Sequence, residues 1–203
     1  MWEMSDRTGI KMAKESILRD SMRVAPIFAR VFRRLYGHPC WLVKPGYPGF
    51  LTMEFGEPHL EIREPTDSHA ASKRVRELFA RRMVTVRGDW HLWIYCCDWA
   101  VFSNGKIIGE CSSTRRIQRA AHTLDGQKLI SFSVGKRKGH SVFEFDLGTK
   151  LETLPYNRKS DQWMLFTPTG RVLTLRADDQ YSYEPGDAAP DTTKWKPVRG
   201  KDR

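Results

Sequence analysis

From residue 40 onward the chain alternates apolar and polar residues in short runs, and turn residues break the runs about every ten positions. A period of two gives each strand one apolar face, which restricts the segment to antiparallel sheets that stack to bury those faces. The pattern predicts strands near 41–44, 50–55, 59–63, 82–87, 90–97, 99–103, 106–111, 128–134, 141–147, 150–155, 162–167, 171–176 and 180–183. Asn104-Gly105 between apolar runs reads as a two-residue hairpin turn. Gly46-Tyr47-Pro48-Gly49 and Thr167-Pro168-Thr169-Gly170 mark further turns.

Helical spacing interrupts this pattern. Residues 1–25 scatter Ile10, Met12, Ile17, Leu18 and Met22 through polar sequence and predict a weak helix, with Met22 as an alternative start. Over 26–36, Ile27, Phe28, Val31, Phe32 and Leu35 share one face, Pro26 suits the first turn, and Gly37 and Pro39 stop the helix. Residues 69–81 put Ala71, Val75, Leu78 and Phe79 on one helical face, with a structured loop as the alternative. Residues 113–124 space Ile117, Ala120, Ala121 and Leu124 at i, i+3, i+4 and i+7, behind a serine cap and before Asp125-Gly126. The expected fold is therefore mainly β within the α+β class, an antiparallel sandwich or set of meanders with a basic N-terminal helix. The chain divides into a basic helical segment (1–39), a β-rich domain (40–184) and a loose basic tail (185–203), with docking of that tail through Trp195 as the alternative.

The formal net charge is +10, and most of the excess lies toward the ends. Residues 1–45 carry nine Lys/Arg against four Asp/Glu, 186–203 five against three, and the middle 20 against 17. That distribution favours a basic arm over a charged groove built by the fold. No run approaches the roughly 18 to 20 apolar residues of a membrane span, and no secretory leader is visible. Cys40, Cys96, Cys97 and Cys111 lack disulfide-framework spacing, and neither Asn104 nor Asn157 lies in a glycosylation motif, so the expected location is the cytoplasm.

Two strings resemble each other. Leu51 to Ile62 and Val142 to Thr153 each run from an alternating strand through a Gly turn into Leu-Glu; Asp89-Trp90 to Ile94 is similar to Asp161 to Phe166. Two readings fit: a pair of similar meanders, the first enlarged around 66–82, or the common alternation of any antiparallel sheet. The strings FEFDLGTKLETLPY, DQWMLF, GRVLTLR, FGEPHLEIREP and DWHLWIYCCDW, within about residues 40–183, resemble uncharacterised bacterial cytosolic β-rich proteins. They are also loosely similar to immunity-protein-like domains that neutralise toxins. The resemblance implies a binding module and transfers no catalytic residue; the net positive charge departs from the acidic balance of a protein that masks a basic nuclease.

Reactive constellations are sparse. Cys96 and Cys97 read as strand neighbours pointing to opposite faces, an arrangement that does not readily chelate one metal or form a redox loop. His38 and Cys40 have no second ligand pair downstream. Gly135-Lys136-Arg137-Lys138-Gly139 joins two strands rather than opening a helix, and reads as a solvated hairpin tip. Glu54, Glu61, Glu144 and Asp146 read as outward strand carboxylates, and His91 as a structural histidine. No hydrolase, zinc, nucleotide or dinucleotide motif is present.

For anion or nucleic-acid contact the candidates are Arg30, Arg33, Arg34, Arg115, Arg116, Lys136, Arg137 and Lys138, effective only if they share a face. The tryptophans read as core rather than as stacking platforms. The sequence reading is thus a non-enzymatic module for a protein partner, of immunity or regulatory type, with no cofactor and no metal. A basic nucleic-acid-associated protein is the alternative, and an unrecognised hydrolase the third.

Overall fold

The computed structural model describes residues 24–46 and 49–200. The weak helix expected over 1–25 and the start at Met22 lie outside these residues, apart from positions 24 and 25, as does the Tyr47-Pro48 turn tip. The described strands are β1 (Cys40–Gly46), β2 (Phe50–Phe55), β3 (His59–Arg63), β4 (Met83–Arg87), β5 (Trp90–Ile94), β6 (Asp98–Ser103) and β7 (Lys106–Glu110). They continue with β8 (Leu129–Val134), β9 (Ser141–Phe145), β10 (Thr149–Leu154), β11 (Asp161–Phe166), β12 (Arg171–Arg176), β13 (Gln180–Pro185) and β14 (Lys196–Pro197). The helices are α1 (Pro26–Phe32), α2 (Lys73–Phe79) and α3 (Thr114–Leu124).

One sheet runs β1-β2-β5-β11-β12-β13-β14 and a second β7-β6-β10-β9-β8, while β3 and β4 pair only with each other. All pairings among these strands are antiparallel, and the protein is mainly β within the α+β class, as the alternation predicts. The inward sets Leu51, Met53, Phe55; Trp90, Leu92, Ile94; and Trp163, Leu165 meet Val101, Phe143, Phe145 and Leu151 of the other sheet in one core. Trp163 joins the layers: its ring meets Phe143 at 5.8 Å and its indole N–H donates to Ser141 Oγ at 2.9 Å.

Helices α1 and α3 close the two open sides of this sandwich. Phe28 and Phe32 of α1 stack on Phe132 of β8, and Phe28 also meets Tyr181 of β13 at 5.3 Å. The Ser113 hydroxyl accepts from Arg116 N–H and caps α3, which buries Ile117, Ala120, Ala121 and Leu124 against the opposite edge. There α3 lies directly on Gly109, where an added Cβ would come within 2.7 Å of Ala120 Cβ. Gly109→Ala is therefore expected to lift the helix and cost about 1–3 kcal/mol in urea unfolding; an unchanged midpoint would contradict this packing.

Several details differ from the sequence reading. The tail expected to be loose from 185 rejoins the sheet: β14 pairs with β13, Val198 is buried, and Arg176 stacks on Trp195 at 4.2 Å. A two-residue strand leaves no periodic signature, which hid it in the sequence. Helix α1 ends at Phe32 and continues as turns through Gly37. Helix α2 occupies the centre of the predicted 69–81 segment. The similar strings do not build similar meanders, because β2 pairs with β5 and β3 leaves the sheet, whereas β9 pairs with β10 and β11 lies in the other layer. Shared alternation accounts for their likeness.

Candidate partner-binding arm

Strand alternation runs unbroken from Val84 through Val86, Gly88, Trp90 and Leu92 to Ile94. Its inner members Trp90, Leu92 and Ile94 are core, yet Val84 is 57% and Val86 44% exposed. Across the ribbon, Ile62 opposes Val84 and Leu60 opposes Val86, and these two are 55% and 63% exposed. The β3–β4 ribbon therefore extends the β2–β5 hairpin past the end of the sandwich, carrying four contiguous aliphatic side chains with no described layer over them. Its other face bears His59, Glu61, Arg63, Met83, Thr85 and Arg87.

Helix α2 folds onto the tip of that polar face. Arg63 places its guanidinium 4.4 Å from the Phe79 ring centre and donates to Leu78 O at 2.6 Å, while Thr66 N–H donates to Phe79 O at 2.9 Å. None of the α2 side chains is buried, and the helix leaves the aliphatic face open.

The arm is fastened at its root by a charged knot. Glu54 is only 3% exposed, contrary to its reading as an outward strand carboxylate. Its Oε1 accepts from Arg87 at 3.1 Å and from His91 Nδ1 at 2.8 Å, and its Oε2 accepts from Gly88 N–H at 3.1 Å. Because an ionised carboxylate only accepts, His91 carries its proton on Nδ1. Burial pushes the Glu54 carboxyl up, but the His91 hydrogen bond and charge, Gly88 N–H and Arg87 together hold it below its ordinary value. Arg87 also reaches Glu61 of the arm at 3.0 Å, tying β3 to the body. With both oxygens engaged, Glu54 serves as a strut rather than as a proton acceptor for a substrate. Glu144 and Asp146 are exposed, as the alternation predicts.

The eight basic candidates are all exposed but fall in three places. Arg30 lies in the last turn of α1, and Arg33 and Arg34 in the turns after it, which meet Leu129 through Gly37 N–H. Lys136, Arg137 and Lys138 sit on the β8–β9 hairpin tip, where Arg199 binds Gly135 O and Val24 bridges to Arg199, beside the start of α1. Arg115 and Arg116 open the 11-residue α3, roughly 16 Å from its far end, where Gly126 N–H donates to Cys40 O. Arg116 is already paired with Glu110. Trp90, Trp99 and Trp163 are core, whereas Trp93 lies half-buried on the outer sheet face near Phe50 and Tyr95.

All four thiols are free. Burial, reinforced by Asp125, pushes Cys40 up to about 12, and its Sγ–H donates to Leu124 O at 2.9 Å. Burial, with Cys111 and Asp98 nearby, also pushes the Cys97 thiol up, and burial raises Cys111. At pH 8 a thiol reagent is therefore expected to modify Cys40 and Cys97 only at the rate of unfolding. Labelling of Cys97 in the folded chain at a free-thiol rate would contradict this packing. Among the described residues no group of three or more His, Cys, Asp or Glu is placed to hold a metal ion. No described helix is long and apolar enough to cross a membrane.

No family model matches the chain, and no curated protein or solved structure is detectably similar to it. The arm was the element that residue patterns did not single out. Its signal was present in the Leu60/Ile62 and Val84/Val86 pairs, but alternation alone does not say where a second layer stops.

Proposed function

We propose that the protein is a non-enzymatic cytoplasmic binding module, of immunity or regulatory type, that takes a protein partner on the aliphatic face of the β3–β4 arm. The observation that supports this most is the exposure of Leu60, Ile62, Val84 and Val86 on a ribbon that pairs with no other described strand. A lone two-stranded ribbon is marginal in water, and an uncovered apolar face on it gains stability when a partner covers it. The saturated hydrogen bonding of Glu54 fits a structural latch better than an acid–base centre.

The test is the double substitution Leu60→Asp with Val84→Asp. Because both side chains are exposed, stability is expected to stay within about 0.5 kcal/mol of the parent, while a partner co-purifying stoichiometrically from the native host is lost. Retention of that partner by the variant, or recovery of salt-released nucleic acid in place of a protein, would overturn the proposal.

A further inference from the structure

We infer that the surface covering the arm is an acidic one: another protein presenting an aliphatic centre ringed by Asp and Glu side chains. This rests on the reading of the arm as the binding element and adds the chemistry of what it binds.

The charge distribution carries the inference. Residues 59–87 hold seven Lys/Arg against four Asp/Glu, and the rest of 46–185 holds thirteen of each. The whole positive excess of the sheet-forming body is thus on the arm. It is concentrated at the tip, where residues 73–82 contain five Lys/Arg and one Glu. Lys73 is paired with Glu77, and Arg82 with Glu64. Arg63 and Arg76 are engaged by backbone carbonyls. Arg74 and Arg81 are exposed, and among the described residues no carboxylate pairs with either.

An aliphatic face on an arm whose tip carries uncompensated guanidinium groups selects a partner with the converse pattern. The apolar centre supplies contact area, and the charged rim sets register and speeds encounter. A second copy of the chain fits poorly, because its arm carries the same net positive charge, and basic residues on a free edge discourage such pairing. A nucleic acid would engage the arginines but leave the four aliphatic side chains uncovered, with no aromatic ring on that face for bases to stack on.

The test uses the full chain in its native cells, with the photo-cross-linker benzoylphenylalanine in place of Leu60 and, as a control, in place of exposed Glu144 on β9. After irradiation the adduct is mapped by mass spectrometry. The expected result is an adduct from position 60 to a different polypeptide, at a segment of net negative charge. Its yield should fall about tenfold in Arg74→Glu with Arg81→Glu, and by a similar factor when a lysate is brought to about 0.5 M salt before irradiation. Circular dichroism confirms that the charge-reversed chain is folded. An adduct to a neutral or basic segment, to a second copy or to nuclease-sensitive material would overturn the inference, as would a yield indifferent to charge reversal. An adduct at position 144 with none at position 60 would instead remove the arm itself as the binding element.

Discussion

Replacing Trp163 with alanine is expected to cost about 3–5 kcal/mol, a large part of the roughly 5–15 kcal/mol that holds a domain of ordinary stability. The indole is completely buried between the two sheets and α1, with ring-centre distances of 5.8 Å to Phe32, 5.4 Å to Phe132 and 6.2 Å to Phe28. Its removal opens a cavity that none of these neighbours can fill alone, because each is fixed by the others: Phe32 and Phe132 stack at 3.8 Å. The Ser141 hydroxyl would also lose its partner in a dry interior. Urea unfolding followed by tryptophan fluorescence and far-ultraviolet circular dichroism measures the loss. A cost below about 1 kcal/mol would mean that α1 and the two sheets do not meet around this ring.

Glu54→Ala is expected to cost about 2–4 kcal/mol and to loosen the arm while leaving the sandwich folded. Without the carboxylate, the Gly88 N–H loses its acceptor, and Arg87 keeps only Glu61, so β4 is no longer braced to β2. The sign of the pH dependence follows from the lowered pKa of the Glu54 carboxyl. The unfolded chain takes up a proton more readily than the folded one, so the stabilisation is complete above the ordinary carboxyl value of 4.5 and is lost as pH falls through the lower folded value. The parent should therefore lose its advantage over Glu54→Ala on acidification below about pH 4.5. A difference between the two chains that is constant down to pH 3 would show that the knot does not hold an ionised carboxylate.

The sheets were legible because their residues obey one local rule. Strand positions such as Leu51, Met53, Phe55 and Trp90, Leu92, Ile94 are read by counting in twos, and the Asn104-Gly105 hairpin by its need for positive φ at both residues, 49° and 75°. Helix α3 was equally plain from the spacing of Ile117, Ala120, Ala121 and Leu124. What alternation does not encode is the extent of the opposing layer. Val84 and Leu92 belong to the same series, yet one is exposed and the other buried, because the five-stranded sheet covers only part of the hairpin. Glu54 was misread for a related reason. Its outward position is correct by period, but Arg87 and His91 fold over it, a contact set by a turn 33 residues later rather than by its own neighbourhood. The basic candidates were visible as residues, but their distribution over α1 and the turns after it, the start of α3 and the β8–β9 hairpin tip depends on how those elements pack.

Amide hydrogen exchange on the full chain, alone and saturated with the partner recovered from its host, tests the central claim most directly. The prediction is rapid exchange in 59–63 and 83–87 for the free chain and strong protection of those segments in the complex, with the α1 and 135–140 regions unchanged. Protection confined to α1 or to the 135–140 hairpin tip, with the arm exchanging as fast as before, would contradict it.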